Sequence, residues 1–188
     1  MKVSAFGFTQ HLFPSKKGAG FTLIELLIVI ALLSILMGAV IVGVNPAARL
    51  GEAGDAVRIS DLKMIVGALE QYLIANGRYP ARTADGCCDG WDQGPCGSNE
   101  TFIQGLVTQG FMKNVPTDPT GGSGTGCYGY AYYRYPAGYW GCDSSKGPFY
   151  ILGVWNMESS GRPHPDSPGV GCGLWELYFD WVTIGFEK

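Results

Sequence analysis

The sequence predicts an α+β protein: one long amino-terminal helix packed under a small antiparallel β-sheet. Three observations predict it. Residues 20–44, GFTLIELLIVIALLSILMGAVIVGV, are apolar but for one acid, and nineteen of them, Leu26 to Val44, carry no charge. Residues 47–75 continue with apolar side chains at three- and four-residue spacing, the period of one helix face. The remainder is rich in glycine, proline and aromatic residues, with short segments that alternate large and small side chains, the period of a strand.

Taken in order, residues 1–20 hold no long apolar run and end on Lys16-Lys17-Gly18-Ala19-Gly20. Lysines beside an apolar segment mark its cytoplasmic side. Residues 1–20 are therefore expected to be a cytoplasmic leader, with everything after Val44 across the membrane. A helix over Leu26–Val44 covers roughly 28 Å at about 1.5 Å per residue, close to the hydrocarbon thickness of a bilayer. Glu25 stands at the head of that run. An ionised side chain in a membrane helix costs about 2.5–3.5 kcal/mol, which calls for a partner. A secretory signal peptide has a shorter apolar core and is cut after it. A plain membrane anchor explains the length and the lysines but not Glu25.

Gly18-Ala19-Gly20, then Phe21-Thr22-Leu23-Ile24-Glu25, then the apolar helix, resembles the prepilin signal of type IV pilins and type II secretion pseudopilins. The resemblance implies a cut between Gly20 and Phe21 by a prepilin peptidase, which also methylates the new amino terminus on Phe21. It implies that Glu25 serves assembly by pairing with the amino terminus of a neighbouring subunit. The chemistry is coherent. Cleavage creates an α-amino cation four residues from Glu25, about one helical turn. Pairing with that cation offsets the cost of burying the carboxylate, and methylation of an amine keeps its charge.

The expected organisation is a cleaved leader (1–20), a transmembrane and filament-core helix (21–45), an amphipathic helix (46–77) and a globular head (78–188). Asn45-Pro46 interrupts the helix, because proline lacks an N–H and clashes with the preceding turn. A kink or local melting is expected over Gly43, Asn45 and Pro46; the alternative is that Pro46 opens a separate helix at its first position. The apolar stripe beyond is Leu62, Ile65, Val66, Leu69, Tyr72 and Leu73. Asp55, Arg58 and Asp61 between these residues are read as a solvated face or as subunit contacts. Asn76-Gly77 and Pro80 stop the helix.

Residues 81–100 read as loop, and Thr101–Met112 as a short helix or turn with Phe102, Leu106 and Phe111 inward. Strands are expected at Tyr128–Tyr132, Phe149–Trp155 and Leu174–Phe186, the last with Trp175, Leu177, Phe179 and Trp181 on one face. Tyr79-Pro80, Gly105-Leu106, Gly110-Phe111, Pro116-Thr117-Asp118-Pro119 and Tyr130-Ala131-Tyr132, in that order, are similar to the major pseudopilin head. The chain departs from that head in its cysteine-rich loop (86–97) and its C-terminal end. The aromatic tract 128–140 suits a sheet core or a subunit interface, with a stacking platform for sugars or bases as the alternative.

Six cysteines, Cys87, Cys88, Cys96, Cys127, Cys142 and Cys172, all follow the membrane segment. An even count in an exported head implies a disulfide framework. The expected pairing is Cys127 with Cys142, leaving Cys172 for Cys87, Cys88 or Cys96. Zinc is not expected: there is no C-x2-C pair, and His164 is the sole histidine beyond the leader. No HExxH, G-x-S-x-G or P-loop is present, so no enzyme is expected and no cofactor. The pseudopilin resemblance implies calcium near the C-terminal end, where Asn156, Glu158, Asp166 and Asp180 supply oxygens, but without EF-hand spacing. No metal is therefore assigned. The net charge of −3 becomes −6 once the leader, with Lys2, Lys16 and Lys17 and no acid, is removed, which argues against nucleic-acid binding.

The resemblance implies a precursor held in the cytoplasmic membrane with its head outside the cytoplasm. After processing it polymerises with identical subunits into a type IV pilus-like filament. The partners are the prepilin peptidase/methyltransferase, an inner-membrane assembly platform with its ATPase, and the bilayer before assembly. The alternative is the major pseudopilin of a type II secretion system, whose short filament acts as a piston. Less favoured is a membrane-anchored binding module that never polymerises.

Overall fold

The computed structural model describes residues 20–82, 91–93, 102–119, 129–155, 157–159 and 161–188. It divides into two compact units, residues 1–44 and Asn45–Lys188. In the first, helix α1 runs Leu23–Val44. Leu, Ile, Val and Ala dominate it, broken only by Glu25, Ser34, Met37, Gly38 and Gly43, and the helix satisfies its interior backbone groups without water. The leader residues Lys16 and Lys17 lie outside the described residues.

In the second unit, α2 runs Pro46–Asn76. Asn45, ahead of it, is in the left-handed region at φ 44°, which asparagine tolerates better than most residues. Pro46 occupies the first helical position, where its missing N–H costs nothing. The interruption read from the sequence is thus a boundary between two helices. Gly77 closes α2 at φ 69°, its N–H donating to the Leu73 carbonyl at 2.7 Å, the left-handed cap that glycine permits.

The sheet is a four-stranded antiparallel meander in chain order: β1 Asp92–Gln93, β2 Tyr130–Tyr135, β3 Phe149–Val154 and β4 Trp181–Phe186. A short helix α3, Gln104–Thr108, precedes β2. Register pairs Tyr132 with Leu152, and Leu152 with Thr183. One face of the sheet presents Tyr130, Tyr132, Tyr150, Leu152, Val154 and Trp181 to the α2 stripe of Leu62, Ile65, Leu69 and Tyr72. Phe102 and Leu106 fill the same core. The opposite face, with Ala131, Tyr135, Phe149, Ile151 and Val182, is covered by Trp175 and Phe179. Gly185 sits where β4 crosses Tyr150 and Tyr79, and any Cβ there would overlap the Tyr150 ring.

Three expectations are corrected. The last strand is confined to Trp181–Phe186: Trp175–Leu177 is a 3-10 turn, with Trp175 buried and Leu177 exposed. Alternation before Trp181 belongs to a loop that lids the sheet, not to a strand. Cys142 and Cys172 form a disulfide, with 5.1 Å between α-carbons, so Cys142 does not pair with Cys127, nor Cys172 with the 87–96 group. It ties the turn after β2 to the lid, and closing a loop of 30 residues stabilises by about 3–4 kcal/mol. Cys87, Cys88, Cys96 and Cys127 lie outside the described residues. The third correction concerns Asp55 and Arg58, described next.

Candidate assembly site

The head of α1 is built as a capping box. Thr22 precedes the first helical residue, and its N–H and hydroxyl both donate to Glu25 Oε2, at 2.9 and 2.7 Å. Glu25 N–H donates back to Thr22 Oγ1 at 3.3 Å. A Thr-x-x-Glu spacing satisfies two of the four orphan amides that every helix start leaves. The box fixes the carboxylate at the tip of the rod, on the first turn, where the helix dipole favours a negative charge. Gly20 and Phe21, the two residues of the expected cut, are both exposed.

Below the tip the rod has no cover. Fifteen large apolar side chains from Phe21 to Ile41 are exposed, and the span Leu23–Ile41 is long and apolar enough to cross a membrane. Burying each such side chain is worth about 1.5–3 kcal/mol, so the rod demands lipid or other helices. On α2, Leu50, Val57 and Met64 are also exposed, at seven-residue intervals along one face.

The opposite face of α2 is fixed to the head by a buried ion cluster. The Arg58 guanidinium is 1% exposed. It donates to Asp118 Oδ2 and Oδ1 at 2.8 and 2.9 Å, to Asp55 Oδ1 at 2.8 Å, and to Glu158 Oε1 at 3.1 Å. Asp55 in turn accepts from the amides of Glu158 and Ser159 and from the Ser159 hydroxyl. Burial pushes the Asp55 carboxyl up, but the Ser159, Glu158 and Arg58 hydrogen bonds outweigh it and hold the group below its ordinary value. The Asp118 hydrogen bonds hold Arg58 above its ordinary value despite burial. The face read as solvated is therefore core: Asp55 and Arg58 are inside, and Asp61 accepts the Tyr130 hydroxyl at 2.7 Å. The signal was available. Asp55 and Arg58 extend the stripe Leu62, Ile65, Leu69, Tyr72 by the same three- and four-residue steps.

Two further ties set the far end of α2. The buried Tyr79 hydroxyl donates to Glu70 at 2.8 Å, its amide donates to Glu187 at 2.8 Å, and Arg134 holds Glu187 through two bonds of 2.6 and 2.9 Å. Tyr132 donates to the Pro80 carbonyl at 2.8 Å. Tyr130, Tyr132 and Tyr135 are buried, Tyr133 is half-buried and Tyr139 and Trp140 are exposed, so half of the described aromatic tract is core; Tyr128 lies outside the described residues.

Two of the residues offered for calcium, Asp180 and Glu158, are already engaged. Asp180 gives Oδ1 to Arg162 at 2.6 Å and Oδ2 to the Met157 amide at 2.8 Å, and Glu158 is committed to Arg58. Asn156 lies outside the described residues. Among the described residues, no three His, Cys, Asp or Glu side chains are grouped to hold a metal.

Residues 15–41 match the family model of the prokaryotic N-terminal methylation motif. The type II secretion system core protein G of Pseudomonas aeruginosa is 27% identical over 161 residues, 86% of this chain and 97% of that protein. The core protein G of Klebsiella pneumoniae is 31% identical, over 54% of this chain and 69% of its own length. That of Aeromonas hydrophila is 30% identical, over 56% and 70%. The chain belongs to the type II secretion core protein G family. No solved structure matches it. Core protein G is a structural protein of the pilin and pseudopilin class, not an enzyme. As a family member the chain is expected to join a multi-subunit assembly after prepilin processing. The Thr22-x-x-Glu25 spacing shows the box in the sequence, beside the cleavage and assembly roles that the prepilin resemblance implies for these residues.

Proposed function

We propose that the chain is the major pseudopilin of a type II secretion system. A prepilin peptidase cuts between Gly20 and Phe21 and methylates Phe21. The precursor sits in the cytoplasmic membrane through α1, with its head outside the cytoplasm. The processed subunits leave lipid by exchanging its contacts for those of neighbouring α1 helices. Glu25 then pairs with the amino terminus of the next subunit and selects the axial register. The exposed α2 stripe of Leu50, Val57 and Met64 is suited to subunit contact along the same polymer.

The observation that carries this reading is the single capped carboxylate at the tip of a wholly uncovered apolar rod. A membrane anchor has no use for it. The names of the relatives favour a secretion pseudopilus over a long surface pilus. The test is deletion of the gene in the parent cell. Exported enzymes are expected to accumulate behind the outer membrane, with surface fibres unchanged under the electron microscope. Loss of a surface fibre with secretion intact would return the chain to the pilus reading.

A further inference from the structure

The loop between β3 and β4 is closed by a cation, and the cation is a side chain. Arg162 Nε donates to Asp180 Oδ1 at 2.6 Å, Nη1 to the Leu177 carbonyl at 3.0 Å, and Nη2 to the Trp155 carbonyl at 3.4 Å. These oxygens come from three places: the end of β3, the 3-10 turn over the outer sheet face, and the residue before β4. One carboxylate and two main-chain carbonyls, gathered from separate segments, fall short of the roughly six to eight converging oxygens that a calcium ion takes, so the set suits diverging N–H donors and not an ion. The second Asp180 oxygen accepts the Met157 amide at 2.8 Å, which fixes the carboxylate for whichever cation faces it. The Asp180 side chain is only 11% exposed, so without a cation it would be a nearly buried charge. A guanidinium suits this place because its planar fork carries five donors that diverge towards several acceptors at once.

We propose that Arg162 is a built-in replacement for a bound divalent cation, so that the head closes its C-terminal loop without calcium. The consequence is a subunit whose folding and incorporation do not respond to calcium outside the cytoplasm.

The test is thermal unfolding of the detergent-solubilised full chain, in calcium and in chelator, for wild type, R162S and R162K. Wild type is expected to unfold at the same temperature in both. R162S is expected to lose roughly 2–4 °C, by the same amount in calcium and in chelator. R162K, which restores a point charge on Asp180 but not the fork, is expected to lose less. The proposal is overturned if calcium raises the wild-type midpoint or if R162S unfolds with wild type. Should R162S fail to fold in either medium, the wild-type comparison and R162K decide: an R162K chain as unstable as an unfolded R162S removes the role of charge.

Discussion

Replacing Glu25 with alanine is expected to abolish assembly while leaving the protein in the membrane. The two effects have the same origin. The carboxylate opposes residence in the bilayer by about 2.5–3.5 kcal/mol, so E25A inserts at least as well as wild type. The paired charge contributes about 1.5–3 kcal/mol to each subunit contact, which is roughly a 10- to 150-fold loss in association at every step of polymerisation. The capping box complicates the reading, since E25A also removes the acceptor of two Thr22 bonds, a loss of about 1 kcal/mol at the helix start. E25Q separates the two. Glutamine keeps the box and loses the charge. Sheared pseudopilus is expected to be absent in both variants, with full-length protein still in the membrane fraction. Wild-type assembly by E25Q would show that the cap, not the charge, is what assembly needs.

The second large effect is on stability. Arg58→Met removes the guanidinium that the buried carboxylates of Asp55 and Asp118 share. Breaking a buried ion pair from one side costs about 3–5 kcal/mol. For a chain of this size that lowers the midpoint of thermal unfolding by roughly 6–20 °C, measurable by circular dichroism. Because Arg58 joins α2 to the Asp118 and Glu158 loops, the loss is expected to reach the whole head rather than fray one end of the helix. The pH dependence has a definite sign. Asp55 is held below its ordinary value of 3.8 in the fold, so its contribution is fully present above that pH and is lost as pH falls through the lower folded value. Wild-type stability is therefore expected to be flat from neutrality down to about pH 5 and to drop in stronger acid.

The helical half of the fold is legible in the sequence because position, not residue type, sets a helix face. Leu62, Ile65, Leu69 and Tyr72 lie on the core face where the period puts them. Asp55 and Arg58 lie on it too, by the same steps, and were misplaced because their charge suggested water. Burial of a charge depends on a partner 60 residues away, and no local pattern announces that Asp118 will be there. The sheet was legible at Phe149–Val154 and in the part of β2 that overlaps the expected Tyr128–Tyr132 segment; β2 runs on to Tyr135, and β1 at Asp92–Gln93 falls in a stretch that reads as loop. It was not legible before Trp181, where aromatic residues at even spacing are held by a loop and a disulfide. The Cys142–Cys172 bridge could not be chosen from spacing, since six cysteines admit many pairings and only the folded lid brings these two together. The tip of α1 was legible because a lone acid in an apolar run is costly wherever it is kept.

The central claim is that Glu25 of one subunit meets the methylated amino terminus of another. Carbodiimide joins a carboxylate to an amine only when the two are in contact, and a methylated amine still reacts. Pseudopilus assembled from mixed light and heavy isotope-labelled subunits, treated in this way and digested, is predicted to yield a peptide in which the Phe21 nitrogen of one label is bonded to Glu25 of the other. Cross-links found solely within one label, or a native chain that still begins at Met1, would contradict the account.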